Sequence, residues 1–298
     1  MFRLILPGGR ITSVQLKAVA QIASELGQES VALSPSRSLD LPGLSSSQAA
    51  DLLPRLTEAG LSALDLPSGC PGLEPGAALD PDRVGVWEQE PPGLFTIGVP
   101  VLAGWLSLSQ ARKAADLAER YAGGQLQLTS RQNLLLPDAP KERVAQILEG
   151  LESVDLRVAA SVYRRGLTAC VEGVEERAGE LLEYLENRVP LKEPLRIHIT
   201  AGPCNCEQAL EAEIGLRTTR VQVEERMIEA YDLSVEARPV PGADGIPAGL
   251  IKVRLENLLV RYKKDRGPGE PFREFCRRLG DEEVARLLSG EVEETRSR

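Results

Sequence analysis

A shift of 95 positions brings the first part of this chain into register with the part that follows it. Residues of the same kind coincide along the shift, and the matched pairs are Gly9 with Gly104, Gln15 with Gln110, Ala20 with Ala115, Leu33 with Leu128 and Pro42 with Pro137. A repeat of this length holds several strands and helices, which makes it a half-domain rather than a solenoid module. The repeat therefore predicts two copies of one α+β unit that pair across a pseudo-twofold axis.

Each copy contains an amphipathic helix followed by a strand and a hairpin. In the first copy the helix is predicted from Thr12 or Ser13 to Gly27, because apolar residues recur at intervals of three and four. In the second copy it is predicted from Ser107 or Ser109 to the Gly123-Gly124 pair. The hairpin turn that follows reads Ser34-Pro35-Ser36-Arg37-Ser38 in one copy and Thr129-Ser130-Arg131-Gln132-Asn133 in the other.

Composition excludes several classes of protein. The net charge is -9 over 298 residues, with 42% hydrophobic residues, as expected for a globular protein that does not bind nucleic acid. No apolar run reaches the roughly 20 residues that a membrane span requires, and the N-terminal residues do not form a signal peptide. Five dispersed cysteines indicate a reducing compartment, so we predict a cytoplasmic protein.

Proline and glycine density divides the chain. We predict a first half-domain at residues 1–66, a Pro/Gly-rich linker at 67–91, a second half-domain at 92–160, and an α/β domain at 161–298. Residues 216–237, within the α/β domain, are predicted as strands.

Two loops of the predicted α/β domain carry cysteines. Cys170 follows one short strand, and about thirty residues later the segment Gly202-Pro203-Cys204-Asn205-Cys206 follows another. Loops of this kind present thiolates to an iron-sulfur cluster, so Cys170, Cys204 and Cys206 are candidate ligands. The alternative is that these cysteines are small buried residues that pack as hydrophobes.

Arginines supply the other candidate site residues. The guanidinium of Arg131, in a hairpin turn, is able to hold a carboxylate or an oxyanion, or to pair with a neighbouring acid. Gln132 and Asn133 are suited either to hydrogen bonding with the turn backbone or to facing a cofactor. Arg164 and Arg165 precede the first cysteine loop and either add positive charge to a pocket or lie exposed. His198, the only histidine, is predicted to be a hydrogen-bonded strand residue.

These motifs together resemble the siroheme-dependent nitrite and sulfite reductases. Ile214-Gly215-Leu216 follows Cys206 as in that family, and Thr129–Asn133 is similar to the family's Thr-Thr-Arg-Gln-Asn hairpin. The sequence departs from the family at Glu176 and Gly202, where relatives have cluster cysteines, and at Glu236-Ala237, where relatives have a glycine pair next to the tetrapyrrole.

The resemblance implies an α+β fold with two ferredoxin-like half-domains and one nitrite/sulfite reductase-type α/β domain. It also implies a four-iron (4Fe-4S) cluster and siroheme as cofactors, with Cys70 or Cys204 replacing a missing ligand. Arg131, Gln132, Asn133, Arg164 and Arg165 would face siroheme or the bound anion, and Arg131 would be catalytic. The partners would be a small anion substrate and an electron-donor protein.

Two other interpretations stay open. One is a catalytically silent descendant of the family that lacks both cofactors and acts as a binding or assembly partner. The other is a protein similar to precorrin-3B synthase, of which the Gly69-Cys70-Pro71-Gly72-Leu73 segment is reminiscent.

Overall fold

A computed structural model describes residues 2–44, 46–65, 84–90, 92–170, 173–202 and 207–289. The chain divides into two compact units, residues 1–160 and 161–298. The first unit contains both copies of the repeat, and the second contains the predicted α/β domain. The fold is the mixed α+β architecture that the sequence predicts.

The first copy in unit 1 has seven elements within the described residues. In chain order they are β1 (Phe2–Ile5), β2 (Arg10–Thr12), α1 (Ser13–Glu25), β3 (Ser30–Leu33), β4 (Leu39–Leu41), α2 (Ser46–Glu58) and β5 (Ser62–Asp65). The second copy consists of β6 (Gly85–Glu88), β7 (Leu94–Val99), β8 (Trp105–Ser107), α3 (Leu108–Tyr121), β9 (Gln125–Leu128), β10 (Leu134–Pro140) and α4 (Val144–Glu152).

The two copies exchange a strand. One sheet has the order β5-β1-β4-β3-β8 and the other the order β2-β9-β10-β7-β6, so β2 and β8 each join the sheet of the other copy. The registers agree under the 95-residue shift, because Arg10 pairs with Gln127 and Trp105 pairs with Ala32. The repeat thus builds an interlocked pair of half-domains.

Helices α1 and α3 begin in the same way. Thr12 and Ser107 are the N-caps, and each forms a capping box with the glutamine three residues later, Gln15 or Gln110. The capping glutamines also donate to backbone carbonyls of later loops, Gln15 to Gly60 and Gln110 to Val154, both at 3.1 Å. This double duty explains why glutamine is present at both repeat positions.

Gly9 and Gly104 occupy equivalent positions of the repeat, and other residues approach both of them closely. Both have a positive φ, 73° and 76°. A Cβ atom on Gly9 would lie 2.6 Å from the carbonyl oxygen of Leu128, and one on Gly104 would lie 2.7 Å from the side-chain nitrogen of Gln132. Only glycine satisfies both the backbone angle and the close approach.

The predicted linker is wrong at its C-terminal end. Strand β6 lies inside the 67–91 segment and pairs with β7, with Val86 opposite Ile97 and Trp87 opposite Thr96. Valine and tryptophan favour strands, and this local preference prevails over the proline and glycine content of the segment. Residues 66–83, the greater part of the predicted linker, lie outside the described residues, and so does Cys70.

Unit 2 is a mixed sheet covered by helices. Its elements are α5 (Val162–Gly166), β11 (Leu167–Ala169), α6 (Glu175–Arg188), β12 (Ile197–Thr200), α7 (Glu207–Glu211), β13 (Ile214–Val223), β14 (Arg226–Val235), β15 (Arg238–Pro239), β16 (Ile246–Pro247), α8 (Ala248–Asp265), α9 (Phe272–Leu279) and α10 (Asp281–Ser289). The strand order is β11-β12-β13-β14-β15, and β16 also pairs with β14. Strands β11, β12 and β13 are parallel, and β13 and β14 form a long antiparallel hairpin.

Candidate functional site

The carboxyl ends of β11 and β12, after which the two predicted cysteine loops follow in the sequence, lie side by side. The strands are parallel and in register, with Ala169 opposite Ile199. The backbone N–H of Cys170 donates to the carbonyl of Ile199 at 2.9 Å, so Cys170 continues the ladder beyond β11. Crevices at the carboxyl ends of parallel strands are common ligand sites in α/β sheets.

Of the three predicted ligands, the structure describes one. Cys170 is half-buried at this sheet edge. Cys204 and Cys206 lie in residues 203–206, outside the described residues, and by sequence they follow Gly202 within four positions. Among the residues that are described, no group of three His, Cys, Asp or Glu side chains is placed to hold a metal ion.

Cys276 has a different environment. It lies on α9 and is buried, and burial together with the negative charge of Glu236 raises the pKa of its thiol to about 12. A thiol with such a pKa stays protonated at neutral pH, whereas metal ligation requires the thiolate. Cys276 is therefore a structural cysteine.

A cavity of about 240 Å³ opens at the carboxyl end of β12. It is lined by residues of β12, β13, β14 and α7 and of the segments next to them, among them His198, Thr200, Gly202, Arg217, Asp232 and Ala237. Arg217 donates two hydrogen bonds to one carboxylate oxygen of Asp232, at 3.1 and 2.6 Å. The other carboxylate oxygen accepts from the backbone N–H of Gly245 at 2.8 Å. Asp232 therefore fixes Arg217 at the cavity wall.

His198 is 1% exposed and occupies the middle of β12. Its Nδ1 lies 2.8 Å from the hydroxyl of Thr168, the residue opposite it on β11. The prediction of a hydrogen-bonded strand histidine is confirmed. The same residue also lines the cavity, which the sequence pattern did not indicate.

A tight turn at Glu236-Ala237 closes the cavity on another side. Both residues have a positive φ, 53° and 59°, and they connect the paired residues Val235 and Arg238. Two left-handed residues in a two-residue hairpin loop are typical of a type I′ turn, which usually contains glycine. The chain therefore keeps the backbone shape of a glycine pair while it carries side chains.

The two side chains of this turn have different surroundings. Glu236 is 7% exposed and pairs with arginines of α9, at 3.3 Å from Arg273 and 3.0 Å from Arg277. Ala237 lines the cavity, so a single methyl group is what it adds to the cavity wall relative to glycine. The salt bridges of Glu236 help to hold the strained turn.

In unit 1 the predicted site residues occupy the turn between β9 and β10. Gln132 and Asn133 are buried. The side-chain nitrogen of Gln132 donates to the carbonyl of Leu33 at 2.7 Å, and the side-chain oxygen of Asn133 accepts from the N–H of Val101 at 3.1 Å. Arg131, between these buried residues and Ser130, is half-buried. Both amide side chains thus make structural hydrogen bonds that hold the turn.

Arg164 and Arg165 lie on the short helix α5. The guanidinium of Arg164 donates to both carboxylate oxygens of Glu186 on α6, at 2.9 and 3.3 Å, and Arg165 is exposed. Arg164 therefore joins two helices.

The sequence pattern did not identify Arg217, Asp232 and Thr168 as parts of this site, and it marked Glu236 only as a departure from the family's glycine pair. Alternation along residues 216–237 indicated strands, and it was the only available signal for Arg217 and Asp232. In the described part of the chain no helix is both long and apolar enough to span a bilayer.

Comparison with known families begins with the half-domains. Residues 1–59 and 87–154 match the family described as nitrite/sulfite reductase ferredoxin-like half domain. The structure is similar to that of the Mycobacterium tuberculosis NirA protein, with a TM-score of 0.78 at 15% identity over 95% of this chain and 84% of that one. The fold is thus one of paired ferredoxin-like half-domains with an α/β unit.

The relatives found by sequence comparison are named nitrite reductases or sulfite reductases. The assimilatory ferredoxin-dependent nitrite reductase of Haloferax mediterranei is 28% identical over 71% of this chain and 39% of its own length. The chloroplastic ferredoxin–nitrite reductase of Zea mays is 31% identical over 53% of the chain and 30% of its own length. Sulfite reductase [ferredoxin] 2 of Mycolicibacterium paratuberculosis is 28% identical over 68% and 40%. The chain carries the ferredoxin-like half-domains of the nitrite/sulfite reductase family, and it spans 30 to 40% of the length of these relatives.

Proposed function

We propose that this protein is a nitrite/sulfite reductase-like oxidoreductase that holds a four-iron cluster and siroheme and reduces a small oxyanion by several electrons. The observation that carries the proposal is the hydrogen bond from Cys170 to Ile199, because it joins the ends of the two strands that lead into the cysteine loops. The other two interpretations, a silent descendant and a precorrin-3B synthase-like protein, are not favoured by the comparisons.

Cys170, Cys204 and Cys206 would hold the cluster. Iron-sulfur clusters are bound by cysteine thiolates, and a bound cluster supplies one-electron transfer. The arrangement fits this role, since one candidate thiol lies at the sheet edge and the other two belong to the loop that follows the adjacent strand. Cys276 does not fit, because its raised pKa keeps the thiol neutral.

The fit to siroheme is partial. The turn at Glu236-Ala237 has the backbone conformation of a glycine pair, and the side chain of Glu236 pairs with arginines. The cavity of about 240 Å³ lies below the size of a typical cofactor pocket, about 300 to 1,000 Å³. Within unit 2 the cavity therefore suits a small anion or one edge of a larger group.

Arg131 would bind a carboxylate of the cofactor or the substrate anion. A guanidinium binds such groups with two parallel hydrogen bonds. Gln132 anchors the hairpin to Leu33 of the first copy, and Asn133 anchors it to Val101 of the second copy. These two residues would therefore hold Arg131 in position rather than contact a ligand themselves. We also propose that Arg165, which is exposed, contributes positive charge, whereas Arg164 is occupied by Glu186.

A small electron-donor protein would complete the reaction. Relatives from Zea mays and Synechococcus elongatus are named ferredoxin–nitrite reductases. By analogy we propose a ferredoxin-type donor for this chain, and a cytoplasmic location as predicted from its cysteines.

The test is the absorption spectrum of the anaerobically purified protein, combined with iron and acid-labile sulfide assays and with reduction of nitrite and sulfite by a reduced donor. The proposal predicts a siroheme absorption band, bound iron and sulfide, and anion-dependent oxidation of the donor. A folded protein that stays colourless and iron-free after reconstitution would contradict it and support the silent descendant. A bound cluster without siroheme would contradict the siroheme part and favour the precorrin-3B synthase-like protein.

A further inference from the structure

A second cavity in unit 2, of about 190 Å³, lies between the sheet and the helices α6 and α8. Ile199 of β12 lines this cavity, whereas the residues on either side of it, His198 and Thr200, line the cavity of about 240 Å³. Because successive side chains of a strand point to opposite faces of a sheet, the two cavities lie on opposite faces. We call the second one the helix-side cavity.

Small residues open the helix-side cavity near the first turns of α6 and α8. Further along the two helices, Tyr184 and Arg188 of α6 both donate to the carboxylate of Glu256 on α8 and hold the helices together. In their first turns the helices line the cavity with Ala178 and with Gly249. A Cβ atom on Gly249 would meet no heavy atom within 4 Å. The space between the helices is therefore set by the side chains that the sequence places there.

The inner wall of the helix-side cavity is apolar. Aliphatic side chains from both helices and from the sheet form it, and all of them are buried: Leu181, Ile199, Leu216 and Ile251. A cavity of about 150 Å³ with such a lining is large enough to bind benzene. The helix-side cavity therefore has room for one ring or for a branched aliphatic group of similar size.

The remaining lining of the cavity carries two cations, Arg177 and Lys252. Arg177 forms an ion pair with Glu229 at 2.6 Å, and a guanidinium has five N–H donors, so one carboxylate leaves several of them available. The ammonium of Lys252 lies 5.3 Å from the ring centroid of Tyr184, and it forms no hydrogen bond or ion pair with the described residues. Glu180 is the single acid among the lining residues, so the lining itself has an excess of positive charge.

We propose that the helix-side cavity binds a small carboxylate that has a compact apolar body. The ammonium of Lys252 and the guanidinium of Arg177 would bind the carboxylate through charge-assisted hydrogen bonds. The apolar body would lie against Ile199, Leu216 and Ile251, where its burial adds to the affinity. Recognition therefore requires both the charge and the apolar body. This inference does not depend on the proposed redox function.

Titration of the full chain with benzoate, followed by the methyl resonances of Ile199, Leu216 and Ile251, tests the proposal. Benzoate is expected to shift these resonances. It is also expected to bind roughly tenfold or more tightly than benzamide, which has the same ring without the charge, and than acetate, which has the charge without the ring. Benzamide or acetate that binds as tightly as benzoate would overturn the proposal. So would a dissociation constant for benzoate weaker than about 10 mM.

Lys252→Met removes the ammonium and keeps a side chain of similar length. It is expected to weaken benzoate binding roughly tenfold and to leave benzamide binding within about twofold of the native value. Lys252→Arg keeps the charge and is expected to restore most of the affinity for benzoate. Lys263→Met is the matched control, because Lys263 is exposed in the last turn of the same helix, and it is expected to bind benzoate like the native chain. Benzoate binding that is unchanged in Lys252→Met, or that falls equally in Lys263→Met, would overturn the proposal.

Discussion

The side-chain amide of Gln132 donates to the backbone carbonyl of Leu33 at 2.7 Å, and the two residues belong to different copies of the repeat. Gln132 is 3% exposed, so this hydrogen bond crosses the interior of the paired half-domains. This hydrogen bond fixes the hairpin turn of one copy against a strand of the other. The turn between β9 and β10, which carries Arg131, is therefore held by a hydrogen bond between the two copies of the repeat.

Replacing Gln132 by alanine is expected to lower the free energy of unfolding by about 1 to 3 kcal/mol, because the buried carbonyl of Leu33 loses its donor. Denaturant unfolding measures the change. Gln125→Ala is the control, since Gln125 is exposed at the start of β9, and it is expected to change stability by less than about 0.5 kcal/mol. Equal losses in the two variants would contradict a special role for Gln132.

The buried ion pair of the first copy should be far more sensitive than a surface pair. Arg3 donates to both carboxylate oxygens of Asp40 at 2.6 Å, and both side chains are buried. Asp40→Ala leaves the guanidinium buried without its main partner and is expected to destabilise unit 1 by about 3 to 5 kcal/mol. Glu25→Gln, which breaks the exposed pair with Arg55, is expected to cost less than about 1 kcal/mol. Thermal unfolding of both variants distinguishes these outcomes.

Stability near the C-terminus should depend on Glu270 and on pH. Hydrogen bonds from Arg278, and then from the backbone of Gly267, lower the pKa of Glu270 to about 2 from an ordinary value of 4.5. A lowered folded-state pKa contributes stability that is fully present above pH 4.5 and is lost as the pH falls toward 2.

The variant Glu270→Gln should therefore have a lower Tm than the native chain at neutral pH, and the difference should shrink steadily as the pH falls below about 4.5. Calorimetry at a series of pH values measures it. Glu274→Gln serves as the control, because Glu274 is exposed on the adjacent helix and its side chain forms no hydrogen bond or ion pair with the described residues. A Tm difference for Glu270→Gln that is constant with pH would contradict the prediction.

At position 237, in the strained turn beside the cavity, glycine is expected to be more stabilising than alanine. Ala237 has a φ of 59°, which costs an alanine about 1 to 2 kcal/mol relative to glycine. Replacing Ala237 by glycine removes this cost, but the greater conformational freedom of glycine in the unfolded chain offsets about 0.4 to 1 kcal/mol of the gain in stability. Ala237→Gly is therefore expected to raise the free energy of unfolding by up to about 1.6 kcal/mol.

Ala209→Gly is the matched control, because Ala209 also lines the cavity but belongs to helix α7. Glycine in a helix is less stable than alanine by about 1 kcal/mol, so the control should lower stability. The prediction fails when both variants are destabilised in a denaturant titration.

The sequence predicted the repeat because local capping and close approach select particular residues. Gln15 and Gln110 complete capping boxes, and Gly9 and Gly104 lie where a Cβ atom would clash, so all four are visible as matched positions. The strand exchange between the copies was not predictable, since β2 and β8 are three residues long and have the same local preferences in either sheet.

The site was predicted where it depends on chain order and missed where it depends on tertiary pairing. Cys170 follows a short strand, as the sequence predicted, and the structure shows that this strand is parallel to β12. The pairing of Glu236 with Arg273 and Arg277 joins a turn to a helix about forty residues away, and no periodic pattern records such a contact. Likewise, the hydrogen bond of Arg164 to Glu186 accounts for an arginine that sequence alone assigned to either a pocket or the surface.

The central claim is that the ends of β11 and β12 present thiolates to an iron-sulfur cluster. The most direct measurement is the iron and acid-labile sulfide content of three anaerobically reconstituted proteins, the native chain, Cys170→Ala and Cys276→Ala. Cys276 is the matched cysteine, since it is buried on α9 and its pKa is raised to about 12. The account predicts that the native chain and Cys276→Ala bind iron and sulfide in equal amounts and that Cys170→Ala loses most of both. Equal iron in all three proteins, or none in the native chain, would contradict it.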